Sequence, residues 1–142
     1  MSYLLDTNVV SEWTKERPNT GTIKWLAQVD EDRVFLSVVT LAELRKGIHR
    51  LPESHRRKRL HEWLQGELLL RFESRILSID SAIADEWGVM VASAEKQGRS
   101  VGAMDGFIAA TARVHSLVLV TRNASDFEPL LPEIVNPWSG GS

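Results

Sequence analysis

Four acidic residues far apart in the chain, Asp6, Glu43, Asp105 and Asp126, each fall where a predicted strand ends or a predicted helix begins. Asp6 follows Tyr3-Leu4-Leu5, Glu43 sits in the first turn of a helix after Val34-Phe35-Leu36, and Asp105 opens the helix before the apolar run Leu117-Val118-Leu119-Val120. Asp126, with the amide of Asn123, follows that run. Carboxylates gathered in a crevice repel one another unless a divalent cation neutralises them. An oxygen-only set without His or Cys selects Mg²⁺, with Mn²⁺ able to replace it. Each acid also has a structural reading. Asp6 can cap a helix, Glu43 can complete a capping box with Thr40, Asp105 can favour a helix dipole, and Asp126 can close an Asx turn. A common edge for all four is what separates a site from four unrelated caps.

The elements around them predict such an edge. Tyr3 to Leu5, Val34 to Leu36, Ile76 to Ile79 and Leu117 to Val120 read as short strands. Between them lie helical segments over residues 9–15, 22–29, 40–50, 53–70, 80–97 and 103–115. Pro52 separates the third from the fourth, whose apolar stripe runs through Leu60, Trp63, Leu64, Leu68 and Phe72. Asp80 caps the fifth and Gly98 ends it. Strands alternating with helices imply right-handed crossovers and a mainly parallel sheet covered on both faces, a three-layer α/β/α sandwich. In such sheets the carboxyl ends of the strands share one edge, where ligands collect.

At 142 residues, 43% apolar and 25% charged, the chain fits one domain, expected over residues 1–138 with a flexible tail over 139–142. The absence of Cys excludes disulfide scaffolds, thiolate metal sites and cysteine nucleophiles. No apolar run approaches membrane-spanning length and no signal-like segment precedes Asp6, so a cytoplasmic protein without a membrane partner is expected. The net charge of −2 argues against indiscriminate coating of nucleic acid. Between Leu44 and His61, however, seven Arg and Lys face one Glu. Arg45, Arg56, Arg57 and Arg59 in that stretch, and Arg122 elsewhere, are candidate phosphate contacts, though basic runs also occur on solvated helices. Trp13, Trp25 and Trp63 are placed on helices that could face a partner, and Trp87 in the core.

Leu4-Leu5-Asp6-Thr7-Asn8, Thr40-Leu41-Ala42-Glu43-Leu44, Asp105-Gly106-Phe107-Ile108-Ala109-Ala110-Thr111-Ala112 and Leu119-Val120-Thr121-Arg122-Asn123 together resemble the PIN-domain nucleases. The resemblance is to the VapC and FitB type toxins of bacterial toxin–antitoxin pairs, which also tend to end in a segment like Val135-Asn136-Pro137-Trp138. It implies Mg²⁺-dependent RNA cleavage with Asp6, Glu43 and Asp105 as the acidic triad, a cognate antitoxin, a homodimer and a higher assembly with the antitoxin. Where many members carry a fourth acid this chain has Asn123, which brings no charge; Asp126 is placed to compensate, and one-metal and two-metal arrangements both stay open. Thr7, Asn8 and Thr121 either take secondary roles, bonding the carboxylates or a phosphate oxygen, or serve equally well as turn residues. Two other readings stand beside this one. A haloacid-dehalogenase-type phosphatase also places Asp after its first strand but needs Asp-x-Asp, where this chain has Asp6-Thr7-Asn8. A catalytically weak or silent module would bind RNA or antitoxin only.

Overall fold

The computed structural model describes residues 1–139. β1 (Tyr3–Leu5) leads into α1 (Thr7–Val10), prolonged by a 3-10 turn over Ser11–Thr14; α2 (Thr20–Gln28), β2 (Val34–Ser37), α3 (Val38–Arg50) and α4 (His55–Trp63) follow. A π-turn over Leu64–Leu68 joins α4 to α5 (Leu69–Arg71). Then come β3 (Ile76–Leu77), α6 (Ser81–Lys96), α7 (Ala103–Val114), β4 (Val118–Val120), α8 (Ala124–Phe127) and β5 (Ile134–Val135). The five strands form one sheet in the order β3-β2-β1-β4-β5, with every pairing parallel. β5 is an addition to the four strands expected from sequence.

Strand side chains alternate between faces. Leu4 pairs in register with Phe35 and Leu119, and all three pack with Ile83, Met90, Ile108 and Phe127 on the face covered by α6 and α7. Their neighbours Tyr3, Leu5, Val34, Leu36 and Val120 point to the opposite face, among Val9, Leu44, Ile48, Leu64, Leu68 and Phe72. The sheet is thus buried on both sides, as a parallel sheet with crossover helices requires. The stripe Leu64, Leu68, Phe72 keeps its spacing of four through the π-turn, and all three are buried. Trp13, Trp25 and Trp63 are partly buried against this second core. Tyr3 meets Trp25 edge-on at 5.1 Å between ring centroids. Trp87, expected in the core, is partly buried against the first cluster and stacks on Phe107 at 5.2 Å.

Several element starts differ from expectation: α2 begins at Thr20, after Asn19 as its cap, α4 begins at His55, after Ser54, and two others bear on the site. The first helix begins at Thr7, two residues early, because Asp6 caps it. α3 begins at Val38, because the Ser37 hydroxyl accepts the Val39 amide at 3.0 Å. Thr40 is therefore inside the helix and fully buried, and Glu43 lies in the second turn. The capping box does not form. At the far end of the chain, Ser139 closes a turn by donating to the Asn136 carbonyl at 2.8 Å, and the rest of the expected tail, residues 140–142, lies outside the described residues.

Candidate active site

β2 and β3 lie on one side of β1, and β4 and β5 on the other, so the chain's direction of winding reverses between β1 and β4. A crevice opens at such a reversal, beyond the carboxyl ends of the strands. Asp6 and Thr121 are the first residues past those two ends. The Asp6 amide donates to Val120 O at 2.9 Å, which carries the sheet ladder to the rim of the crevice.

The Asp6 side chain is buried, 5% exposed, and held from both sides. Oδ1 accepts the Thr7 amide at 2.8 Å; Oδ2 accepts the Thr121 hydroxyl at 2.8 Å and the Asn8 amide at 3.4 Å. The Thr121 oxygen in turn accepts the Asn123 amide at 3.0 Å, which fixes the direction in which its own proton points. Asn8 Oδ1 accepts the Arg122 amide at 3.2 Å and ties the β4 turn to the β1 turn. Glu43, half-buried, accepts the Thr7 hydroxyl at 2.7 Å, and the Thr7 and Thr40 hydroxyls lie 3.3 Å apart. Thr7 thus steadies two acids at once, its amide bonding Asp6 and its hydroxyl bonding Glu43.

Asp105, in the first turn of α7, stands on the exposed rim, and none of its oxygens takes a hydrogen bond among the described residues. Asp126 and Asn123 are also exposed, at α8 and its N-cap. The acids nonetheless feel one another. Burial pushes the Asp6 carboxyl above its usual range against the bonds from Thr121 and Thr7, and the charges of Asp105 and Glu43 push it further. Asp105 is raised by partial desolvation, then by Glu43 and Asp126. Among the described residues no Lys, Arg or His forms an ion pair with any of the four. The result is a crevice of uncompensated negative charge built wholly from hard oxygen donors, which fits Mg²⁺ or Mn²⁺. Among the described residues no three acids close tightly enough to form a finished metal cage.

Glu12 is the acid that sequence reading missed. It is 2% exposed, and its Oε1 accepts the Asn19 amide at 2.8 Å while Oε2 pairs with Lys15. Burial works against the charge, yet Lys15, the Asn19 amide and the nearby Arg122 hold its carboxyl below the usual range. An acid three residues before a Lys, following the apolar pair Val9-Val10 and beside Trp13, was the available signal. Arg122 itself is exposed, 5.7 Å over the Trp138 ring, and its carbonyl accepts the Asn136 side chain at 3.4 Å. Of the other basic candidates, Arg56 and Arg59 line one cleft with Lys15, of about 390 Å³, and Arg45 and Arg57 line another on the opposite flank of α4.

A parallel five-stranded sheet with acids converging at its reversal point defines the PIN fold, and residues 3–128 match the PIN domain family, to which the chain belongs. Within that family it is similar to the toxin FitB of Neisseria gonorrhoeae, 38% identical over 135 residues that cover 95% of this chain and 97% of the relative. It is also similar to a VapC ribonuclease of Sinorhizobium fredii, 36% identical with 95% and 96% covered. The crystal structure of FitAcB from Neisseria gonorrhoeae superposes with a TM-score of 0.91 at 38% identity, over 96% of this chain and 99% of that one. PIN membership leaves no place for the phosphatase alternative. No helix among the described residues is long and apolar enough to cross a membrane.

Proposed function

We propose that this chain is an Mg²⁺-dependent endoribonuclease that acts as the toxin of a type II toxin–antitoxin pair in the cytoplasm. The observation that carries the reading is the Asp6–Glu43–Asp105 group, in which the Asp6 and Asp105 carboxyls are lifted by burial and by neighbouring acids and, among the described residues, no cation pairs with them. A structural cluster of that sign would be neutralised by Lys or Arg, as Glu12 is. Perturbed acids left unpaired at a fold's ligand edge point to a site.

Asp6, Glu43 and Asp105 would hold the ion, with Asp126 and Asn123 at the fourth position. A bound Mg²⁺, or Mn²⁺ in its place, supplies activation of a water and neutralisation of charge at the scissile phosphate. The protein's own part is orientation. The Thr121 hydroxyl and Thr7 amide fix the Asp6 carboxylate, and the Thr7 hydroxyl fixes Glu43, so neither acid has to be ordered when the ligand arrives. Burial of Asp6 beneath the strand ends keeps bulk water from screening it. The Arg56, Arg59 and Lys15 cleft, and Arg122 steadied over Trp138, would grip the RNA backbone.

Relatives with the same fold occur in solved toxin–antitoxin structures, which supports a cognate antitoxin; a homodimer and a larger assembly with the antitoxin belong to the same proposal. The test is digestion of total cellular RNA by the purified chain with Mg²⁺ or Mn²⁺, with and without EDTA, beside Asp105→Asn. Cleavage that needs both the metal and Asp105 supports the proposal. RNA binding without cleavage would instead establish the silent module.

A further inference from the structure

α3 and α4 form an antiparallel hairpin, and each presents an Arg followed four residues later by a His, Arg45 and His49 on α3, Arg57 and His61 on α4. Residues four apart share a helix face, and antiparallel packing sets the first of one helix against the last of the other. The pairs therefore cross. Arg45 Nη1 lies 2.9 Å from His61 Nδ1, and Arg57 Nη2 lies 3.4 Å from His49 Nδ1. Between them is a cleft of about 300 Å³, with Ile48, Ser54 and Lys58 completing the wall and Glu53 as its one acid. Arg45 is two residues past Glu43, about 200° around the helix, so the cleft looks away from the carboxylate crevice.

A guanidinium is usually answered by a carboxylate. Among the described residues Arg45, Arg57 and Lys58 have none, and the two Arg instead lean on imidazole nitrogens. Because a guanidinium can only donate, each His must offer its Nδ1 lone pair and so be neutral. We propose that this cleft is a phosphate-binding site distinct from the catalytic crevice, and that protonation of His49 and His61 opens it. Two guanidinium forks on opposite walls suit a tetrahedral anion with oxygens on both sides, where a planar carboxylate would serve only one. The N-terminus of α4, capped by Ser54, adds favourable backbone dipoles. A proton on Nδ1 removes the acceptor, releases the Arg toward the cleft and adds a positive charge. The charged groups facing the rings are Arg45 from α3, Glu53 from the connecting turn, and Arg57 and Lys58 from α4, so the balance favours an anion and does so more strongly at low pH.

Sulfate, which does not titrate between pH 5.5 and 7.5, is the probe, read by NMR of the four His rings in EDTA. The expected result is saturable shifts at His49 and His61 but not at His115, with affinity rising about three- to tenfold from pH 7.5 to 5.5. Arg45→Gln with Arg57→Gln should abolish the shifts while the rest of the spectrum stays folded. His49→Gln with His61→Gln, read instead through the backbone amides of α3 and α4, should bind without pH dependence. A second arm adds a short single-stranded RNA: competition with sulfate identifies a nucleic-acid backbone as the source of the phosphate, and absence of competition identifies a small phosphorylated compound. Equal shifts at His115, or affinity that falls on acidification, would overturn the proposal. The chelator keeps the outcome independent of whether the chain cleaves RNA.

Discussion

Replacing Asp105 by Asn separates a functional acid from a structural one. Among the described residues its carboxylate takes no hydrogen bond, so the substitution breaks none there, and it removes a charge that Glu43 and Asp126 oppose. Against this stands the favourable dipole at the first turn of α7, worth about 0.3–1 kcal/mol. The carboxyl is nonetheless raised, so the surroundings on balance disfavour the anion. Asp105 is exposed, and screening limits the gain on removing its charge to between zero and about 1 kcal/mol. In EDTA the variant should therefore unfold at the same temperature as the parent or a few degrees higher. Adding divalent ion reverses the order. A ligand at one hundred times its dissociation constant stabilises the folded state by about 2.7 kcal/mol, roughly 5–10 °C for a chain of this size. The parent should show that rise and lose it to chelator, and Asp105→Asn should show little of it and no cleavage. Thermal scans with and without Mn²⁺, alongside RNA digestion, check all three outcomes. A variant several degrees less stable in EDTA, or one that keeps the full metal-induced rise, would refute the reasoning.

Thr7→Val removes the hydroxyl that steadies Glu43 but leaves the amide on Asp6, so RNA cleavage should fall about 10- to 100-fold while the fold persists, as rate measurements and circular dichroism would show. Gly106→Ala places a methyl 2.6 Å from the Trp87 indole nitrogen and should cost about 1–3 kcal/mol in urea unfolding. Stability should have opposite slopes on two sides of a maximum in pH. Asp6 and Asp105, raised above 3.8, bind protons more readily folded than unfolded, so stability rises as pH falls from neutrality through their raised values. Glu12 and Glu31 are held below 4.5 and bind protons more readily unfolded, so stability falls below that pH; urea midpoints from pH 3 to 7.5 in EDTA test both limbs. Arg56→Gln with Arg59→Gln should weaken RNA binding and flatten its dependence on salt, and an unchanged slope would mark that flank of α4 as merely solvated.

The central sheet was legible because its strands are short apolar runs set between helices with clear caps; Asp80 on Ile83 at 3.0 Å and Gly98 at φ +78° are where the residue types place them. β5 was not legible, since two residues after Pro132 carry no period. Thr40 and Glu43 had the spacing of a capping box, but spacing cannot tell a helix's first turn from its second. The hydroxyl of Ser37, one residue from the helix and already extended at the end of β2, takes the cap first. That displacement frees Glu43 to accept from Thr7, a contact between residues 36 apart that no local pattern encodes. The placement of Asp6, Glu43 and Asp105 on one edge followed from the α/β alternation. Thr7, Asn8 and Thr121 were also expected to bond the carboxylates, and they do; which hydroxyl meets which acid was not legible, because Thr121 and Glu43 lie far in sequence from the residues they bond.

Capping and catalysis are not competing explanations for Asp6. A carboxylate offers about four lone-pair positions, and the Thr7 amide, the Thr121 hydroxyl and the Asn8 amide occupy three at most. The bond to Thr7 starts α1 and fixes the plane of the group, while its charge remains unanswered. Glu12 shows what a structural acid looks like in the same chain: equally buried, it is met by Lys15 and Arg122, and its carboxyl falls where that of Asp6 rises. Exposure to solvent alone therefore does not distinguish the two acids; the charges beside them differ in sign, and of the two only Asp6 is left without a cation beside it.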